Sequence, residues 1–169
     1  MVRAVMVLRK WLPPLIWMAL IFGGSTDVLS GDHTSRFVLP ILRWVFAGRL
    51  GPEQLDWGHL LVRKAGHITE YAVLSILFWF ALGRPRLDPG AEPNNRGPWL
   101  AVCLAVVFAV GYAALDEYHQ SFTPARTANW HDVAIDAAGA VFGLILLGAA
   151  RLGRGRWTAR KHVPAARDA

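Results

Sequence analysis

At 169 residues the chain fits one domain. Apolar residues make up 54% of it and charged ones 18%, where soluble domains carry roughly 45–50% and about 25%; this surplus lies in long uncharged runs and argues against an ordinary soluble protein and for a membrane protein. The net charge of +6 flanks those runs, so it reads as the basic edge of membrane helices and not as a nucleic-acid footprint. A single cysteine, Cys103, excludes an intrachain disulfide, and its mid-run position marks it as a small core residue.

Residues 1–10 carry Arg3, Arg9 and Lys10 and read as a cytoplasmic N-terminus. Residues 11–24 are uncharged, with Pro13 and Pro14 near the entry, where proline costs least. A cleaved signal peptide would share the basic start and apolar middle, but no A-x-A-like site follows, so the segment is expected to be retained. Residues 25–57 form a connector whose middle is apolar, broken by Pro40 and dotted with Arg36, Arg43 and Arg49. That mixture suits a segment in the interface plane; a re-entrant piece would read the same way. Residues 58–83 are the next span, with Arg63, Lys64, His67 and Glu70 in the first half. Residues 84–98 are a Pro/Asn/Gly loop. Residues 99–115 carry no charge and are the clearest span. Residues 133–150 form the last span, interrupted only by Asp136, and 151–169 are a basic tail expected to be poorly ordered.

The expected fold is therefore all-α: an integral membrane bundle of four transmembrane helices over residues 11–150, with an interfacial segment between helices 1 and 2. Basic residues are denser in 1–10, 84–98 and 151–169 than in the intervening connectors, which places both termini in the cytoplasm of a multi-pass protein of the cell membrane. This orientation brings every intramembrane polar group to one level, in the outer leaflet. Lys64, His67 and Glu70 begin the second span, Asp116, Glu117 and Gln120 end the third, and Asp132 and Asp136 begin the fourth. A charge at a helix centre costs about 2.5–3.5 kcal/mol on insertion scales, so these groups need partners or a water-filled pocket.

Helical spacing sorts them further. Lys64, His67 and Tyr71 share a face, with Glu70 a third of a turn away; Asp116 and Gln120 share another. Asp132, Asp136, Gly139 and Gly143 share a third, and the two glycines would let another helix approach closely. Each group also has a plainer reading. Asp132 is N3 of a capping arrangement with Asn129 as N-cap; Lys64 snorkels outward; Glu117 faces water at a helix end. His59, His119 and His131 read as interfacial and solvated, and Trp11, Trp57, Trp99 and Trp130 as belt residues.

These residues resemble the VanZ-like family of small multi-helix membrane proteins, named for a member linked to teicoplanin resistance. Its Lys-x-x-His-x-x-x-Tyr element corresponds to Lys64, His67 and Tyr71, and its Asp-Glu-x-x-Gln-x-Phe-x-Pro-x-Arg element to Asp116, Glu117, Gln120, Phe122, Pro124 and Arg126. Asp132, Asp136, Gly139 and Gly143 follow at the family's spacing. Ala125 replaces the usual glycine, Asn129 a frequent serine and Asp136 a common asparagine, the last altering the charge balance. The resemblance implies an envelope role connected with lower glycopeptide sensitivity, and it supplies no reaction.

The candidate ligand-binding residues are Lys64, His67, Glu70, Tyr71, Asp116, Glu117, Gln120, Arg126, Asp132 and Asp136. Together they would recognise the polar head group of a membrane lipid, a lipid-linked cell-wall precursor or a glycopeptide. No nucleic acid, cofactor or metal is assigned. The alternatives are a membrane enzyme using acid/base or metal-assisted chemistry on envelope lipids, without HExxH, nucleophile motif or phosphate-cradling loop, and a bundle whose polar groups only lock helices or bind a partner.

Overall fold

The computed structural model describes residues 2–25, 31–82, 97–122 and 129–161. Among these the chain is all-α, with no strand: α1 (Val2–Ser25), α2 (Gly31–Val45), α3 (Pro52–Ala81), α4 (Gly97–Gln120) and α5 (Trp130–Lys161). Every apolar run becomes a helix; α1, α4 and α5 extend beyond their runs at both ends, and α3 extends beyond its run at the start. Hydropathy marks the greasy part of a helix, whereas backbone hydrogen bonding continues until a capping or breaking signal. At α3 that signal is Pro52 at the first helical position, with the Gln54 side chain accepting a hydrogen bond from the Gly51 N–H at 2.9 Å.

Three local expectations are corrected. Pro13 and Pro14 lie inside α1, not at its entry, because the helix already begins at Val2. They remove the donors for the carbonyls of Arg9 and Lys10, at the charged edge of the run. Pro40 does not break the connector; α2 runs through it. Of the tail, residues 151–161 continue α5 and 162–169 lie outside the described residues; Arg151 lies 4.1 Å from the ring centre of Trp79, a cation–π contact that ties the start of the tail to α3.

Side-chain contacts give the helix directions. Lys64 meets Asp132, His67 meets Asp136 and Ser75 Oγ donates to the Ala140 carbonyl, so α3 and α5 run parallel. Trp11 meets Phe108, Tyr112 donates to the Met18 carbonyl and Ser25 donates to Asp116, so α1 and α4 run parallel as well. Trp11 also meets Phe78 while Trp17 donates to the Glu70 carbonyl, so α1 opposes α3. The four long helices therefore alternate up and down. α2 packs on α3 alone among the described elements, joining the polar ends of α1 and α3.

The core is narrow. Ala101, Ala105, Ala109 and Ala113 recur every four residues on one face of α4, and Tyr71, Leu74 and Phe78 of α3 pack with them. Residues 99–120 and 130–153 are long and apolar enough to cross a membrane, yet only 28% and 22% of their most apolar windows is buried. The core helix of a soluble protein would hide that surface; here Val107, Leu115, Ile145 and Leu146 face outward. Cys103 is exposed on the same outer side of α4, contrary to its expected core position, because the alanine stripe occupies the inner face. Trp57, Trp99 and Trp130 are exposed near helix starts, but Trp11 packs against Phe78 and Phe108.

Candidate functional site

The polar residues of α3, α4 and α5 gather at one end of the bundle in a graded stack. At its rim Lys64 Nζ lies 3.1 Å from Asp132 Oδ1, and Arg63 reaches the other Asp132 oxygen at 4.0 Å. The side chains of Lys64 and Arg63 keep 35% and 39% of their surface and that of Asp132 keeps 22%, so this pair of contacts is open to solvent or lipid head groups. One turn deeper, His67 Nδ1 lies 3.2 Å from Asp136 Oδ1, with Asp136 almost wholly buried. Deeper still is Tyr71, with no exposed surface.

On the α4 side, both Ser25 Oγ and Gln120 Nε2 donate to Asp116 Oδ2 at 2.7 Å. The spacing of Asp116 and Gln120 makes the second bond; the first is tertiary, since Ser25 ends α1. Glu117 does not face water: it is buried, and its carboxylate accepts the Asn129 N–H where α5 begins. That contact divides the capping work. Asn129 Oδ1 accepts the His131 N–H, Glu117 takes the N-cap's own N–H, and Asp132 at N3 turns to Lys64. The plainer reading of Asp132 thus holds for its position while its carboxylate joins the rim.

Two glycines make the stack possible. A Cβ at Gly139 would lie 2.6 Å from the Ile68 carbonyl oxygen, and one at Gly143 2.5 Å from that of Ala72. Without side chains there, α5 lies directly on the α3 backbone and brings Asp132 and Asp136 to Lys64 and His67.

Several buried atoms have no hydrogen-bond partner among the described residues: Tyr71 OH, Asp116 Oδ1 and Asp136 Oδ1, with His67 Nδ1 facing Asp136 outside hydrogen-bond geometry. Asp116, Asp132 and Asp136 lie within electrostatic range of Glu117, Asp116 and Asp132 within range of Asp136, and Tyr71 within range of Asp116 and Asp136. Glu70 is half-buried, near His67 and Tyr71, with its carbonyl held by Trp17. Among the described residues no three His, Cys, Asp or Glu side chains converge as metal ligands do. Pro124 and Arg126 lie outside the described residues.

Seven of the sequence candidates thus meet in direct contacts: Lys64 and His67 with Asp132 and Asp136, Asp116 with Gln120, and Glu117 with the start of α5. Sequence reasoning missed Ser25 and Arg63. Ser25 closes the first apolar run at the level of the acids, which would have drawn attention to it; Arg63 is hidden by pointing off the Lys64 face. His59 and His119 are not fully solvated either. A ring nitrogen of each is buried, and His119 packs on Phe22 with ring centres 4.6 Å apart.

An all-α bundle with two apolar, outward-facing helices and ionic groups stacked at one end fits a membrane protein. The VanZ/LLP1 family model matches residues 11–151, most of the chain, and the chain belongs to that family. No curated protein and no solved structure matches it.

Proposed function

We propose that this is a four-span envelope protein whose polar stack binds, or presents for modification, the polar head group of a lipid-linked cell-wall component, and that this lowers sensitivity to a glycopeptide such as teicoplanin. The observation that carries the reading is the grading of the stack. Half-exposed Lys64 and Arg63 at the rim suit phosphate or carboxylate, and the buried Asp116 Oδ1 below, without a described partner, suits a hydroxyl or amide donor. The alternation of α1, α3, α4 and α5 supports four crossings; with both termini cytoplasmic, the stack opens to the outer leaflet. In the test, Asp116→Asn and Lys64→Met are expressed at normal membrane levels and assayed for glycopeptide tolerance and for retention of lipid-linked precursors on the purified protein. Loss of both is expected; full retention of both refutes the reading.

A second reading has its own support. Ser25, Gln120 and Asn129 all bond to carboxylates from neighbouring turns or helices, as helix-locking groups would. If the stack only locks helices, replacing His67 and Asp136 together by leucine will preserve the phenotype, since a buried ion pair often yields to apolar packing without loss. Under the head-group reading the double replacement abolishes it.

A further inference from the structure

Helix α2 carries three stripes. Ser35, Val38, Leu39 and Leu42 are partly buried toward the protein, and a Cβ on Gly58 of α3 would lie 3.0 Å from Leu42 Cδ1. A second stripe is apolar and bare: Phe37 is 72% exposed, Ile41 58% and Trp44 82%. The third is Arg36, Pro40 and Arg43, all exposed, with Arg49 just beyond the helix. At 3.6 residues per turn the arginine stripe lies about a third of a turn from the apolar one. The one acid in α2 is Asp32 in its first turn, none follows before Glu53, and no described carboxylate pairs with these arginines. Because α2 links the polar ends of α1 and α3, it lies at the boundary where the spanning helices stop, not within the bundle.

An apolar stripe directed into acyl chains puts a stripe a third of a turn away at head-group level. Arginines at that level without a described acidic partner are matched by negative phosphates. We propose that α2 is a membrane-surface helix that selects anionic phospholipid, with Phe37, Ile41 and Trp44 buried in the acyl boundary and Arg36, Arg43 and Arg49 on the phosphates. Each arginine near an anionic surface contributes about fivefold in lipid affinity.

The test uses the full chain with Cys103→Ser, spin-labelled through Ile41→Cys, in nanodiscs of phosphatidylcholine alone or with phosphatidylglycerol. The label is expected to be shielded from aqueous nickel and open to oxygen, more so with phosphatidylglycerol. Native mass spectrometry should show phosphatidylglycerol retained over phosphatidylcholine. Arg36→Gln with Arg43→Gln should reduce that preference by about twentyfold or more, with helix content unchanged. Equal shielding in both lipids with no effect of the arginine variants overturns the proposal. So does a water-exposed label, or spin–spin broadening showing that a second copy covers the stripe. A variant that loses helix content is replaced by Arg36→Lys with Arg43→Lys, which must keep the preference.

Discussion

At the residue scale, the stack separates groups that hold the fold from groups that have capacity to spare. The Tyr71 hydroxyl is buried without a described partner, so removing it relieves a desolvation cost of about 1–3 kcal/mol instead of breaking a bond. Tyr71→Phe should therefore unfold in detergent at the same or a higher temperature than the parent while, under the proposed head-group reading, binding of lipid-linked precursor weakens; a clear drop in thermal stability would show that the hydroxyl is structural. The rim behaves differently. Lys64 and Asp132 are partly exposed, so Lys64→Met should cost under about 1 kcal/mol. Removing His67 alone strands a buried Asp136 and should cost about 3–5 kcal/mol, unless Asp136→Asn is made with it. Chemical denaturation of the three variants in one detergent checks the order.

At the element scale, the contact of α3 with α5 is the one that the site cannot lose. Gly143→Ala forces a methyl against the Ala72 carbonyl and should cost about 1–3 kcal/mol while separating His67 from Asp136. Gly148, on the same helix, has nothing within 4 Å of a Cβ, so Gly148→Ala should be neutral or slightly stabilising. Equal melting temperatures for the two variants would mean that the close approach does not hold the bundle together. At the end of α2, Ala47 has φ 51° beside Gly48 at φ 70°, in a turn closed by the Gly48 N–H to the Arg43 carbonyl at 2.8 Å. A left-handed conformation costs a non-glycine residue about 1–2 kcal/mol, so Ala47→Gly should stabilise this corner.

At the scale of the whole molecule, four alternating helices with their described acidic groups at one end have a definite sidedness. Reporter fusions or cysteine labelling should find residue 90 and the C-terminus inside and residue 125 outside. An outside location for residue 90 would turn the stack toward the cytoplasm and remove the cell-exterior head group from consideration. The apolar exposure of α4 and α5 also predicts that the chain is extracted from membranes by detergent and not by high salt or alkali.

Much of this was legible in one dimension. The 3.6-residue period aligns Lys64 with His67 and Tyr71, and Asp132 with Asp136, Gly139 and Gly143. The alternation of apolar runs brings those faces to a common level, because each run must be satisfied along one axis. Local chemistry also marks Asn129 as a cap. What periodicity cannot carry is which face meets which. That Glu117 turns inward to cap α5, that Ser25 from α1 closes on Asp116, and that Cys103 faces outward depend on how helices rotate about their axes. That rotation is decided by packing: the alanine stripe of α4 and the glycines of α5 allow close approach only along particular lines. Helix length also escaped the hydropathy signal, since α5 continues past its apolar part on backbone hydrogen bonds. The sequence by itself determined four of the five described helices, their order and the polar level; only the tertiary structure decided the pairing, because close contact between backbones is a property of two surfaces and not of one.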